Sequence, residues 1–277
     1  TVPHWVHDNG AMSQRTAQVL AAWCAEQQAA GQLPAEIVVC EVGMGTGLHL
    51  RYLLDAFAEH CERDGTDWYR RLTVLATDVS AQVARTAFDR GLFVDHADHV
   101  RLGFLDVQSP DTFVELDSGL QLDLRGRVHF FIAYYVLDLL PVDVFRRRQF
   151  DDGPHWEALW VRTWLRDVDQ LAAVTDAAVA ELQALAATDR PETVEPLAQA
   201  WSHIQQELRA WPVDLSNHPD FAALAQLADD QEAALGFHHA GLAQGTVINH
   251  SAGALRAAQL LAQTTAEGGI VLLRDVG

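Results

Sequence analysis

The chain has 277 residues, is 49% hydrophobic and carries a formal net charge of −19, with a sequence pI near 4.9. That is enough apolar material for one large domain, or a domain with a cap, and so acidic a surface repels phosphate backbones and argues against a nucleic-acid partner. No apolar run is long enough to span a bilayer, so no membrane partner is expected, and the three cysteines (Cys24, Cys40, Cys61) fit a reducing cytoplasmic setting rather than a disulfide framework.

In chain order, a helix is predicted over 12–28, ahead of Gly31 and Pro34. A strand over 36–40 follows, with Cys40 as a small buried hydrophobe. It leads into Glu41-Val42-Gly43-Met44-Gly45-Thr46-Gly47 and a helix over 48–60, whose Leu50, Leu53, Leu54 and Phe57 share one face. A strand feeding a glycine turn that opens a helix is the architecture of a nucleotide-type site. Glycine lets the backbone turn sharply and lets a ligand approach, and the helix N-terminus offers unpaired N–H groups.

A second strand is predicted over 72–77, ending at Asp78, with Ser80 capping a helix over 81–88. A third runs over 99–105 and ends at Asp106; a fourth, over 128–135, is apolar enough to be buried on both faces. A last strand over 270–273 follows Gly268-Gly269. The alternation predicts an α/β fold, a Rossmann-like parallel sheet of five strands with helices on both faces.

The segment between the fourth and fifth strands has another character. It holds no glycine between Gly153 and Gly236 and is dense in Ala, Leu and Gln. It is predicted to be a helical cap over 151–245, inserted into a core of 1–150 and 246–277, with helices over 156–187, 194–210 and 221–235. Trp156, Trp160 and Trp164, spaced four apart, would pack the cap onto the core or wall a cationic substrate. Arg146, Arg147 and Arg148 read as a solvated face or as salt-bridge partners for the acidic insertion, with phosphate binding a lesser option. His238, His239 and His250 lack a familiar ligand spacing, so no metal is expected.

Glu41, Asp78 and Asp106 all fall at the carboxyl ends of predicted strands, the edge where open parallel sheets bind ligands. The glycines are spaced G-x-G-x-G and not G-x-G-x-x-G, with the acid two residues ahead. This resembles motif I of the class I S-adenosyl-L-methionine (SAM) methyltransferases. The resemblance implies SAM as cofactor, held by Glu41, Gly43, Met44, Gly45, Gly47, Asp78, Val79 and Asp106. Class I methyltransferases continue into a C-terminal hairpin; none is visible after residue 273, so the expectation is a truncated chain, or a fifth strand whose edge a partner chain or the insertion covers.

The run Phe131-Ile132-Ala133-Tyr134-Tyr135-Val136-Leu137-Asp138-Leu139-Leu140-Pro141-Val142 narrows the resemblance. With Trp156-Glu157, the segment 249–255 and the closing Gly268-Gly269-Ile270-Val271-Leu272-Leu273-Arg274-Asp275-Val276-Gly277, it is similar to the MidA-like methyltransferases, which include a complex I assembly factor that methylates a protein arginine. Their Asn-Glu pair is Tyr134-Tyr135 here. A carboxylate there would hold a guanidinium, so the resemblance carries the cofactor further than it carries the substrate. It implies that Tyr134, Tyr135 and Asp138 face the reacting centre. The expected acceptor is a protein side chain or small molecule, favoured if basic. A catalytically inactive SAM-fold assembly module and an NAD(P) enzyme are the rival readings.

Overall fold

In a computed structural model, the structure describes residues 10–151, 153–165, 204–235 and 245–274. The chain divides into two units, residues 1–142 with 251–277, and residues 143–250. The first is built from α1 (Ala11–Ala29), β1 (Ile37–Val42), α2 (Leu48–Asp64), β2 (Leu72–Asp78), α3 (Ala81–Asp89), β3 (Val100–Phe104), β4 (Thr112–Glu115), β5 (Gln121–Asp123) and β6 (Val128–Tyr134). The second holds β7 (Asp143–Phe150), β8 (Gly153–Leu165), β9 (Ile204–Val213), α4 (Phe221–Leu235) and β10 (Thr246–His250). The first unit resumes with α5 (Ala252–Thr264) and β11 (Thr265–Arg274).

The first unit is a seven-stranded sheet of order β11-β6-β1-β2-β3-β4-β5. The five predicted strands, β1, β2, β3, β6 and β11, are parallel, and the fold is the predicted Rossmann-like α/β type. The sequence order reverses between β1 and β6, which opens a crevice outside their carboxyl ends. Two short antiparallel strands, β4 and β5, extend the β3 edge and were not expected.

Alternate side chains of each strand enter two apolar layers. On one side, Ile37, Val39, Val74, Phe130 and Ile132 meet Leu50, Leu53, Leu54 and Phe57 of α2 and Leu20 of α1. On the other, Cys40, Val42, Leu75, Phe131 and Ala133 meet Ala257 and Leu261 of α5. The four predicted α2 residues are fully buried, each burial contributing about 1.5–3 kcal/mol. Ser80 caps α3 as predicted, its hydroxyl accepting the Val83 N–H at 3.4 Å. β11 takes the outer position beside β6, with an irregularity between Thr265 and Ile270. There Gly268 C=O accepts the Trp23 indole N–H at 2.8 Å.

The second unit corrects the expectation of a helical cap. Its described residues form a four-stranded antiparallel sheet, β10-β7-β8-β9, with α4 against it. Only the helix over 221–235 matches. Residues 156–165 and 204–210, predicted helical, are strands; 166–187, 194–203, His238 and His239 lie outside the described residues. A spacing of four returns to one face in a pleat as well as in a helix, so Trp156 and Trp160 share a face of β8, while the side chain of Trp164 lies outside the described residues. Trp156 packs beside Phe221 and under Arg147, whereas Trp160 is exposed. Pro212 is tolerated because β9 is an edge strand among the described residues. Of the readings open for the arginine run, the salt-bridge one fits: Arg146 and Arg148 face Glu157, and Arg147 pairs with Asp229. No described helix is long and apolar enough to cross a membrane.

Two measurements check this packing. A Cβ on Gly103 would sit 2.0 Å from Cε2 of the fully buried Phe113 ring, so Gly103→Ala should lower stability by about 1–3 kcal/mol in urea unfolding. The three thiols are free and buried, and burial pushes Cys24 up to about 12 and raises Cys40 and Cys61. None should react with a thiol reagent at neutral pH until the chain unfolds.

Candidate functional site

A cavity of about 730 Å³ opens at the carboxyl ends of β1, β2, β3 and β6, wholly within the first unit. That is a usual size for a small-molecule site. Its lining includes Glu41, Gly43, Met44, Gly45, Asp78, Val79, Asp106, Tyr134, Tyr135 and Asp138. The structure thus brings together all but one of the residues singled out from sequence. Gly47 does not line the cavity. A Cβ there would meet Leu92 Cδ2 at 2.7 Å, Met44 Cε at 3.0 Å and Phe93 Cζ at 3.1 Å, so its work is packing beneath the turn.

The turn is shaped by left-handed backbone at Gly43 (φ 69°), Gly45 (φ 53°) and Gly47 (φ 76°), a region that side chains disfavour. Gly43 also permits close approach, since a Cβ would lie 2.6 Å from Val136 Cγ2. Nothing stands within 4 Å of a Cβ placed on Gly45. Three bonds hold the turn to the end of β2. Met44 N–H donates to Thr77 C=O at 2.8 Å, Gly45 N–H to Asp78 Oδ2 at 3.2 Å, and the Thr77 hydroxyl to Glu41 C=O at 2.7 Å. Asp78 Oδ1 also accepts the Ser80 N–H at 2.8 Å. Asp106 makes a turn of its own, accepting the Gln108 N–H at 2.9 Å.

Glu41 is only 4% exposed. Its Oε1 lies 2.6 Å from Nδ1 of His49, which is equally buried at the start of α2 and also lines the cavity. Its Oε2 is buried with no hydrogen-bond partner. A buried carboxylate oxygen left without a donor is costly, and points to a ligand that supplies one. The second ring nitrogen of His49 is 3.4 Å from Thr16 Oγ1, and Thr16 in turn bonds the Tyr134 hydroxyl at 2.9 Å and donates to Met12 C=O at 3.1 Å. Burial raises the Tyr134 pKa, so this phenol keeps its proton. His49 and Thr16 escaped the sequence reading. The usable signal was an imidazole two residues beyond the last glycine of the turn, facing the acid that precedes it.

Tyr135 has φ 55°, the left-handed region for a bulky aromatic, the one such non-glycine residue among those described. The strain is of order 1–3 kcal/mol and is of the kind found at functional sites. The neighbouring strand sustains it, Arg274 C=O accepting the Tyr135 N–H at 2.9 Å.

Neither a family model nor a curated protein sequence matches the chain. Solved structures do. A Burkholderia thailandensis protein bound to S-adenosyl-homocysteine is 17% identical, with 91% of this chain and 44% of that chain covered, at a TM-score of 0.45. A second structure from the same organism gives 17%, 93%, 47% and 0.45. The DszA carbon methyltransferase gives 15%, 57%, 36% and 0.33. The chain spans less than half the length of each. At such identities and scores, the cavity's own geometry has to carry the functional reading.

Asparagine adopts left-handed backbone more readily than tyrosine. Tyr135→Asn should therefore melt no lower than the parent chain in a thermal scan, while any ligand affinity that depends on the Tyr135 ring falls.

Proposed function

We propose that the first unit binds S-adenosyl-L-methionine in this crevice and is a methyltransferase. The observation that carries the reading is the partnerless Oε2 of Glu41 beside an open glycine turn. The α-ammonium of the cofactor's methionine end is a donor of the right charge for that oxygen, and a dinucleotide's pyrophosphate is the wrong one. The Gly43–Gly45 backbone would lie along the amino-acid end. Asp78 and Val79, after β2, and Asp106, after β3, would reach the ribose and adenine. Asp78 has to do so with the lone pairs that the Gly45 and Ser80 amides leave over. The solved structure with S-adenosyl-homocysteine, and others whose names include methyltransferase, are consistent with this reading.

The bound cofactor supplies an already activated methyl group. The chain's residues position and exclude. Tyr134, kept protonated, is fixed through Thr16; strained Tyr135 and Asp138 line the same cavity and would orient the acceptor. Positioning of this kind is worth several kcal/mol in near-attack geometry. We propose an acceptor on a protein side chain or small molecule, with a basic one drawn by the net charge of −19.

Calorimetry with S-adenosyl-homocysteine tests the cofactor. One site per chain is expected, with no measurable binding of NAD. Glu41→Gln, which keeps shape and removes charge, should weaken affinity by at least about tenfold, or ~1.4 kcal/mol, with circular dichroism confirming the fold. Unchanged affinity in that variant, or NAD binding in the parent, would reject the assignment. Labelled SAM with an arginine-rich peptide then separates an active enzyme from a cofactor-binding assembly module.

A further inference from the structure

The second unit carries a cluster of different chemistry. His218 and Asp220 lie in the turn between β9 and α4, and His250 is the last residue of β10. The turn is ordered by its own backbone: His218 N–H donates to Leu215 C=O at 2.8 Å, and Phe221 N–H to His218 C=O at 3.0 Å. One candidate ligand atom from each of the three side chains lies within 4.8 Å of the others. We propose that His218, Asp220 and His250 bind a divalent first-row cation of the zinc class.

Three observations bear on this, the second of them as a cost. First, His250 is only 7% exposed, and neither of its ring nitrogens makes a hydrogen bond of acceptable geometry. Its Nε2 approaches Asp220 Oδ2 to 3.1 Å. That nearness fails the angular test of a hydrogen bond, yet is about the separation of two ligands on one tetrahedral ion. Second, Nδ1 of His218 accepts the Asp220 N–H at 3.1 Å, so that nitrogen carries the ring's lone pair. That lone pair is already engaged by the amide, so a cation bound there has to displace a formed hydrogen bond, at a cost in affinity. Third, the Phe145 ring backs both imidazoles, at 5.9 Å from His218 and 6.4 Å from His250. An apolar shell of that kind limits solvent at a metal site.

Two imidazoles and one carboxylate suit zinc and its neighbours, whereas calcium and magnesium favour all-oxygen sets. Three protein ligands leave a fourth position for water or another group. With metal–ligand bonds of about 2.0–2.2 Å, two ligands on one tetrahedral ion stand roughly 3.3–3.6 Å apart. Separations as wide as 4.8 Å therefore have to shorten by roughly 1.2–1.5 Å; Asp220 and His250 already stand at 3.1 Å, so His218 has to move in, with the half-exposed Asp220 side chain adjusting to it. The competing arrangement is a metal-free ion pair between protonated His250 and Asp220.

The test uses the full chain, stripped with chelator, desalted and titrated with zinc chloride. Elemental analysis after equilibrium dialysis should find about one zinc per chain, and zinc should raise the melting temperature. Cobalt in its place should give the visible bands of a low-coordinate nitrogen–oxygen site. Asp220→Asn and His218→Ala change residues that are not in the buried core, so both should fold, as circular dichroism would verify. Each should lose at least about tenfold in zinc affinity. Zinc binding that survives both substitutions overturns the assignment, as does an absence of saturable binding in the parent chain. A melting temperature that ignores zinc but falls in His250→Gln would leave the ion pair as the explanation and also overturn it.

Discussion

The crevice depends on how the turn after β1 is fastened to the end of β2. Left alone, a loop with three left-handed glycines would sample many shapes, because glycine loses the most freedom on ordering. Here the Met44 and Gly45 amides are held by Thr77 and Asp78, and the Thr77 hydroxyl returns to the carbonyl of Glu41. The sheet register places these partners, since Glu41 pairs with Ala76. Asp78 thus serves the scaffold before it serves any ligand. Its carboxylate fixes the turn, and the turn keeps Glu41 where its second oxygen has no protein donor.

A second consequence concerns polar groups under the sheet edge. Glu41, His49, Thr16 and Tyr134 form a connected set, three of them almost fully buried. Buried polar networks are costly when incomplete and specifying when satisfied. This one joins α1, β1, α2 and β6, so the mouth of the cavity is shaped by tertiary structure from both ends of the first unit. Edge-to-face contact between the His49 and Tyr134 rings, 4.8 Å apart, adds a packing constraint to the hydrogen bonds.

Much of this was legible in the chain. The strand-turn-helix around Glu41 and Gly43–Gly47, the acids ending three strands and the buried face of α2 follow from period and punctuation alone. The pairing of Glu41 with His49 was not legible, because it crosses a turn and obeys no period. Nor was the left-handed Tyr135, whose N–H is held by the Arg274 carbonyl and whose neighbour Val136 sits close over Gly43, contacts that only the folded sheet edge supplies. β8 and β9 were misread because Ala, Leu and Gln favour helix locally, while strand pairing overrides that preference. The tryptophan spacing could not arbitrate, since four residues complete about one helical turn and two full pleats.

The point at which the second unit interrupts the first is also built for it. Asp143 and His250 are register partners across β7 and β10, so the intervening stretch departs and returns at neighbouring positions. Just outside it, Gly253 N–H donates to Pro141 C=O at 3.0 Å, and a Cβ on Gly253 would collide with that proline. The two ends of the first unit are therefore tied to each other at the seam by a backbone hydrogen bond of their own. Such a joint lets evolution lengthen, shorten or exchange the inserted cassette while the parallel core keeps its topology.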